Sequence, residues 1–168
     1  NPSFCNDKLI GAYGFNPVGG SPEDLDGHGS HTASTAGGNR HTANYNGVDV
    51  EIQGVAPHAN IVAYKVCNPG CPSTASVAAV NSAILNDGVD VLNYSISGSD
   101  DPWNDDVDLA FLDAAAAGIF VSASAGNDGP GAGTVAKTGP WNAAVGASTH
   151  GRIVANEVDV TGPTMPPE

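Results

Sequence analysis

The strongest constraint on the fold is an alternation of short apolar runs and helical segments that begins at residue 60. The run "NIVAYKV" (60–66) is short and rich in β-branched residues, as in a buried strand. A helix is predicted over 73–88, bounded by serine and glycine. Its apolar side chains recur with helical spacing at Val77, Val80 and Ile84.

The same alternation continues to residue 149. The second predicted helix spans 104–118. Three aspartates occupy its first turn, where the helix dipole favours negative charge. Its buried stripe is predicted to be Val107, Ala110, Phe111 and Ala114. The remaining predicted elements are a strand at 89–97, this helix at 104–118, and strands at 119–125 and 142–149.

Strands that alternate with helices over short connections form a parallel sheet. The predicted fold class is therefore α/β, with a mostly parallel sheet and helices on both faces. In such sheets ligands bind at the carboxyl ends of the strands. The segments to search are Ser95–Gly98 and Ala125–Gly129, each of which follows a predicted strand.

Composition limits the classes of partner. The 168 residues are 40% hydrophobic, enough for one domain with a core. The formal net charge of -13 repels nucleic acid and anionic membranes, so neither is predicted as a partner. It favours cationic substrates or bound cations, although solubility alone also explains it. The sequence contains no apolar run of about 18 residues, so no membrane span is predicted.

The cysteines indicate an oxidising environment. Cys67 and Cys71 bracket a turn sequence, "NPG", which predicts a disulfide in a small loop. Zinc is the alternative for this spacing, but no second ligand pair is close in sequence. Cys5 makes the cysteine count odd. These features favour a secreted, extracellular protein.

Residues 24–39, "DLDGHGSHTASTAGGN", predict a helix of small residues preceded by acidic residues and glycine. His28 lies in its first turn, where the helix dipole favours the neutral imidazole that a general base needs. One alternative is a helix with two surface histidines. Another is a metal pair, since His28 and His31 share a helical face, but no third ligand has a usable spacing.

Two further segments carry polar groups beyond strand ends. Asn127 offers a neutral donor that can stabilise an oxyanion, although Asn–Asp–Gly is also a common turn. Ser124 is disfavoured as a nucleophile, because the G-x-S-x-G motif requires glycine at 122 and Ser122 is present. Residues 93–98, "NYSISG", predict either an open strand edge that pairs with a peptide or an ordinary strand end.

Taken in order and spacing, these segments resemble the peptidase domain of subtilisin-like serine proteases. The resemblance rests on "DLDGHGSHTASTAGG", "GVAPHANIVAYKVC", "GVDVLNYSISG", "GIFVSASAGNDGP" and "AAVGAST", and it covers nearly all of residues 1–150. "FCNDKLIGAYGF" and "GHGSHTASTAGG" are most similar to the larger secreted, cucumisin-like members, which carry an inserted protease-associated domain. Residues 151–168 are then expected to lead toward that domain.

The resemblance implies a role for each matched residue. His28 is implied to be the catalytic histidine, and His31 the motif's second histidine, outside the triad. Asn127 is implied to be the oxyanion asparagine, and Asp128 to favour a basic residue in the substrate. The strand that pairs with substrate is matched by Ser95, Ile96, Ser97 and Gly98, and the pocket before the scissile bond by Ser122–Gly126, including Ser124 and Gly126.

The chain departs from the family pattern at two places. The family's D-[ST]-G aspartate run and its G-T-S-[MA] serine run are both absent from the sequence. We therefore expect a fragment of a secreted serine endopeptidase, inactive alone, whose partners are a peptide or protein substrate and the remainder of its own catalytic domain. The alternative is a non-catalytic peptide-binding module. No cofactor is expected for catalysis. The loop 43–54 and the acidic run 100–108 are the segments expected to suit a structural calcium ion.

Overall fold

The computed structural model describes residues 4–15, 20–151 and 162. Most of the predicted linker 151–168 lies outside these residues. In chain order, the elements are β1 (Leu9–Gly14), α1 (His28–Gly37), β2 (His41–Tyr45), β3 (Val48–Ile52), β4 (Ile61–Lys65), α2 (Ser73–Ser82), which continues as a π-helical turn at Ala83–Asp87, β5 (Val91–Tyr94), α3 (Asp106–Ala116), β6 (Phe120–Ser124) and β7 (Ala143–Val145).

The strands form three sheets among the described residues. β5, β6 and β7 are parallel neighbours, with Leu92 opposite Val121 and Ser122 opposite Ala143. β1 and β4 form a second parallel pair, and β2 and β3 form an antiparallel hairpin. The two parallel sheets, together with the helices, confirm the predicted α/β class.

The main core lies between α2, α3 and the β5–β6 pair. Phe111 of α3 is fully buried, and its ring meets the ring of Tyr94 edge-on at 5.2 Å between centroids. Full burial of such a side chain contributes about 1.5–3 kcal/mol. The predicted stripe is confirmed, since all four of its members are buried: Val107, Ala110, Phe111 and Ala114.

A second cluster joins the two parallel sheets. Val66, one residue beyond β4, is buried with Ala75 and Ala79 of α2, and Ile96 packs against the same cluster. Ile96 lies two residues beyond β5. The carboxyl ends of β4 and β5 therefore both lie against α2, although the two strands belong to separate sheets.

The hairpin β2–β3 was not predicted, and the expectation of a loop at 43–54 is wrong. Asn46 and Gly47 form its turn with φ of 51° and 86°, the left-handed pair that a two-residue hairpin turn requires. β1 was also not predicted. The strand predicted at 89–97 is shorter in the structure than predicted. It is β5, whose pairing with β6 ends at Tyr94.

The predicted disulfide between Cys67 and Cys71 is confirmed, with 4.1 Å between the Cα atoms. It closes the connection between β4 and α2, next to the second cluster, against which Cys67 packs. Within the described part of the chain, no helix combines the length and apolar character needed to cross a membrane.

Candidate active site

The helix α1 begins at His28, as the sequence predicts. Gly27 precedes it with φ of 95°, a conformation that glycine adopts without strain, and its carbonyl accepts the first helical hydrogen bond from the His31 amide at 2.9 Å. His28 and His31 are both exposed. The His28 ring therefore stands at the positive end of the helix dipole, with no bulky neighbour in the chain on either side.

Asp24 caps this helix from a distance, a role that the sequence analysis missed. Its carboxylate accepts hydrogen bonds from the amides of Asp26 (3.0 Å), Gly27 (2.9 Å) and Ser30 (2.8 Å) and from the Ser30 hydroxyl (2.7 Å). The Ser30 hydroxyl, followed by the Gly27 and Ser30 amides, holds the pKa of Asp24 well below its ordinary range. The aspartate four residues before His28 was the available sequence signal.

The direction of α1 places His28 at the carboxyl edge of the β1–β4 sheet. The helix ends beside the start of β4, where the Cβ position of Gly37 lies 3.5 Å from the Ile61 side chain. Near the other end, the carbonyl of Glu23 accepts a hydrogen bond from the ammonium group of Lys65, the last residue of β4. The segment that leads into His28 is thus fixed at the end of that strand.

Asn127 lies in a tight turn after β6, also at a carboxyl edge. Gly126 has φ of 88°, and its amide donates to the Ser124 hydroxyl at 3.1 Å. The Ala125 amide donates to the carbonyl of Val145 in β7 at 2.9 Å. Asn127 and Asp128 follow this anchored turn with exposed side chains. The turn can present the Asn127 amide to a bound molecule.

The segment Ser95–Gly98 continues past the end of β5. The Ser95 hydroxyl accepts from the Asn93 amide group at 3.0 Å, and Ile96 is anchored on the second cluster. Ser97 and Gly98 are exposed. The chain here lies beyond the last pair of β5 with β6, as an unpaired strand edge would.

The structure brings two of the predicted substrate-binding segments together. A Cβ on Gly126 would lie 3.7 Å from the Ser97 hydroxyl, so the 95–98 and 124–127 segments lie beside one another. Among the described residues, no hydrogen bond joins α1 to either segment. The roles of His28 and Asn127 therefore stay predictions, supported by their common position at carboxyl edges.

A buried charge cluster lies behind these segments and was also missed by the sequence analysis. The ammonium group of Lys137 lies 2.9 Å from Asp105 and 3.1 Å from Asp108. Burial would raise the pKa of Asp105, but hydrogen bonds from Lys137 and from backbone amides lower it overall. Burial raises the pKa of Asp108 despite the same lysine. A cavity of about 330 Å³ adjoins the cluster and is lined in part by Tyr94, Ile96, Ser97, Gly98, Asp105 and Lys137.

A metal site is not apparent in the part of the chain that the structure describes, where no three His, Cys, Asp or Glu side chains are placed to hold an ion. One of the two segments expected to suit calcium is largely hairpin, and in the other Asp105 and Asp108 pair with Lys137. The structural calcium stays an untested expectation.

Comparison with known proteins places these features in one family. A family model described as "Subtilase family" matches residues 9–162. Subtilisin-like protease SBT1.6 of Arabidopsis thaliana is 43% identical over 175 residues, covering 90% of this chain and 23% of that protein. The Arabidopsis thaliana CO(2)-response secreted protease is 41% identical over 172 residues, covering 95% of this chain and 22% of that protein.

A solved structure shows the same architecture. Sphericase superposes with a TM-score of 0.67 and 27% identity, covering 82% of this chain and 46% of that chain. The chain thus spans less than a quarter of the two Arabidopsis relatives and less than half of this structure.

Proposed function

Because the chain belongs to the subtilase family, we propose that it forms the central part of the catalytic domain of a secreted serine endopeptidase. The observation that carries the proposal is the position of its polar groups: the segment leading into His28 is tied to the end of β4, and Asn127 follows the end of β6. Val66 and Ile96 belong to one cluster with α2, so the carboxyl ends of β4 and β5 lie against the same helix. Carboxyl edges are where parallel sheets bind ligands.

His28 is proposed to act as the general base. It would accept the proton of a serine hydroxyl as the serine oxygen bonds to the substrate carbonyl carbon, and would then donate that proton to the leaving amine. The start of α1 suits this task, because His28 is exposed there and has glycine on both sides in the chain. The hydrogen bonds that Asp24 accepts hold the same helical turn in place.

Asn127 is proposed to stabilise the oxyanion. Its side-chain amide would donate a hydrogen bond to the carbonyl oxygen as negative charge develops there. The anchored turn after β6 supports this role, because a donor gains most when it is already in place before the reaction.

The substrate is proposed to be an extended peptide. Ser95, Ile96, Ser97 and Gly98 would pair with its backbone, because this segment continues past the last β5–β6 pair. Ser124 and Gly126 would line the pocket for the side chain before the scissile bond. The proximity of Gly126 to the Ser97 hydroxyl supports one continuous channel.

The catalytic aspartate and serine are proposed to come from other parts of the intact protein. Among the residues that the structure describes, β4 pairs only with β1, and β5 only with β6, although both strands lead into the cluster on α2. A strand carrying the D-[ST]-G aspartate would complete one sheet between them, with the aspartate at the carboxyl edge. The 168-residue chain alone is therefore proposed to be inactive, and residues 151–168 to lead toward an inserted domain.

Secretion is part of the proposal. The name of one relative describes that protein as secreted. The Cys67–Cys71 disulfide favours the same setting for this chain, because disulfides persist in oxidising compartments.

Labelling of the intact protein by a fluorophosphonate tests the proposal, because this reagent reacts with a serine that a histidine activates. We expect labelling of the wild type, loss of labelling in His28→Ala, and retention in His58→Ala, which removes an exposed histidine near the start of β4. Absence of labelling in well-folded wild-type protein would instead support the non-catalytic peptide-binding module.

A further inference from the structure

Lys137 is almost completely buried and has no part in the mechanism proposed above. Its side chain is 1% exposed, and its ammonium group lies between the carboxylates of Asp105 and Asp108. The same nitrogen lies 5.8 Å from the ring centroids of Tyr94 and Phe111. One cation and two anions are thus enclosed together, which proteins tolerate only when the charges are paired.

The backbone of Lys137 adopts an uncommon conformation. Its φ is 56°, in the left-handed region that residues other than glycine and asparagine seldom occupy. Its amide donates to the carbonyl of Ser99 at 3.0 Å, and its carbonyl accepts from the Asn142 side chain at 3.0 Å. The surroundings therefore fix this residue from both its backbone and its side chain.

The cluster ties the 95–99 segment to the start of α3. Asp105 caps α3 by accepting from the amides of Val107 (2.8 Å) and Asp108 (3.1 Å). The same carboxylate accepts from the Ser99 amide at 3.1 Å, while Lys137 donates to the Ser99 carbonyl. Ser99 is thus held at its amide by the Asp105 carboxylate and at its carbonyl by the backbone amide of Lys137.

The cluster also reaches the turn that carries Asn127. Ala136, the residue before Lys137, donates its amide to the carbonyl of Ala125 at 3.0 Å. A Cβ on Gly126 would lie 3.8 Å from the Ala136 side chain. A displacement of Lys137 would therefore be transmitted to Ala125 and Gly126, in the wall of the proposed pocket.

Gly98 shows how closely the lysine approaches the proposed substrate-binding segment. A Cβ on Gly98 would overlap the ammonium nitrogen and the last side-chain carbon of Lys137. The charged end of Lys137 therefore lies directly behind the last residue of the segment proposed to pair with substrate.

We propose that Lys137, held by Asp105 and Asp108, is a positioning residue that sets the spacing between the 95–98 segment and the 124–126 segment. This inference rests on the proposed function, because those two segments are the proposed walls of the peptide channel. Lys137 acts through Ser99 and Ala136 and touches no reacting atom. Its loss should weaken the binding of extended substrates, whereas the chemistry at His28 should continue.

The test uses the intact protein with Lys137→Met combined with Asp108→Asn. This pair removes the link without leaving an additional buried charge, and Asp105 still caps α3. The matched variant is Asp108→Asn alone, which keeps the lysine and its bond to Asp105. Each variant is assayed with a peptide that extends at least four residues before the scissile bond and with a single-residue ester.

We expect the double variant to raise KM for the long peptide about tenfold, because misplaced binding groups weaken substrate positioning. Its kcat, its activity on the ester and its fluorophosphonate labelling should stay close to wild type, and Asp108→Asn should raise KM less. An unchanged KM, or equal losses on both substrates, would overturn the positioning role. If the double variant fails to fold, Asp108→Asn alone is compared with wild type. An unchanged KM for that variant would also refute the positioning role. Absence of labelling in the wild type would refute the proposed function instead.

Discussion

The carboxylate of Asp24 accepts hydrogen bonds from both the amide and the hydroxyl of Ser30, at 2.8 and 2.7 Å. Ser30 is the third residue of α1, so the first of these bonds satisfies a backbone amide that has no partner within the helix. Asp24 also accepts from the Gly27 amide. The helical turn that contains His28 is therefore held by a carboxylate outside the helix.

Replacement of Asp24 by alanine should loosen the start of α1. Loss of a side-chain cap typically costs about 0.5–2 kcal/mol. We expect faster amide hydrogen exchange in peptides covering 24–38 of the intact protein, measured by mass spectrometry. Asp113→Ala, at an exposed position of α3, is the control and should leave this exchange unchanged. Equal exchange in Asp24→Ala and wild type would show that the four hydrogen bonds do not stabilise the helix.

The contribution of Asp24 should depend on pH. Its pKa is lowered in the folded protein, so its contribution is complete above the unfolded value of about 3.9 and is lost as pH falls through the lowered folded value. We expect wild-type protein to be better protected than Asp24→Asn at pH 6. The difference should narrow steadily as the pH falls below about 4. A difference that grows on acidification would contradict the assigned direction of the pKa shift.

Replacement of Asn127 by alanine should lower kcat with little change in KM. Loss of one oxyanion donor costs about 10²–10³ in kcat; this magnitude is that of a subtilisin's own asparagine and is carried over by analogy. Asn127→Asp keeps the volume but removes the amide donor, so it should lose at least as much. Steady-state kinetics on a peptide substrate measures both variants. An effect confined to KM would contradict the oxyanion role.

Replacement of Gly98 by alanine should destabilise the protein, because the new methyl group would overlap the end of Lys137. Overpacking of this kind costs about 1–3 kcal/mol. Gly146→Ala is the matched control, since a Cβ there meets no atom within 4 Å. Thermal unfolding of the intact protein compares the two. Equal midpoints for both variants would show that Lys137 moves aside freely.

The alternating strands and helices after residue 60 could be predicted, because the strands are short apolar runs and the helices are amphipathic. The buried stripe on α3 follows from helical spacing alone, and all its members are buried. The hairpin β2–β3 was missed although the dipeptide Asn46–Gly47 signals such a turn. Its apolar residues Val48, Val50 and Ile52 are exposed, so they do not mark a core strand.

The candidate site was only partly predictable. Local patterns indicate His28 and Asn127, because each lies in a recognisable segment beside a strand or helix end. The cluster of Lys137 with Asp105 and Asp108 joins residues about thirty positions apart, and only tertiary packing brings them together. No local pattern distinguishes that lysine from a surface lysine.

The most direct measurement is a crystal structure of the intact protein with its active serine trapped by a fluorophosphonate. We expect a phosphoryl oxygen about 3 Å from the side-chain nitrogen of Asn127, with the His28 ring within hydrogen-bond distance of the modified serine. An adduct remote from both residues, or His28 and Asn127 on separate surfaces with no channel between them, would contradict the account.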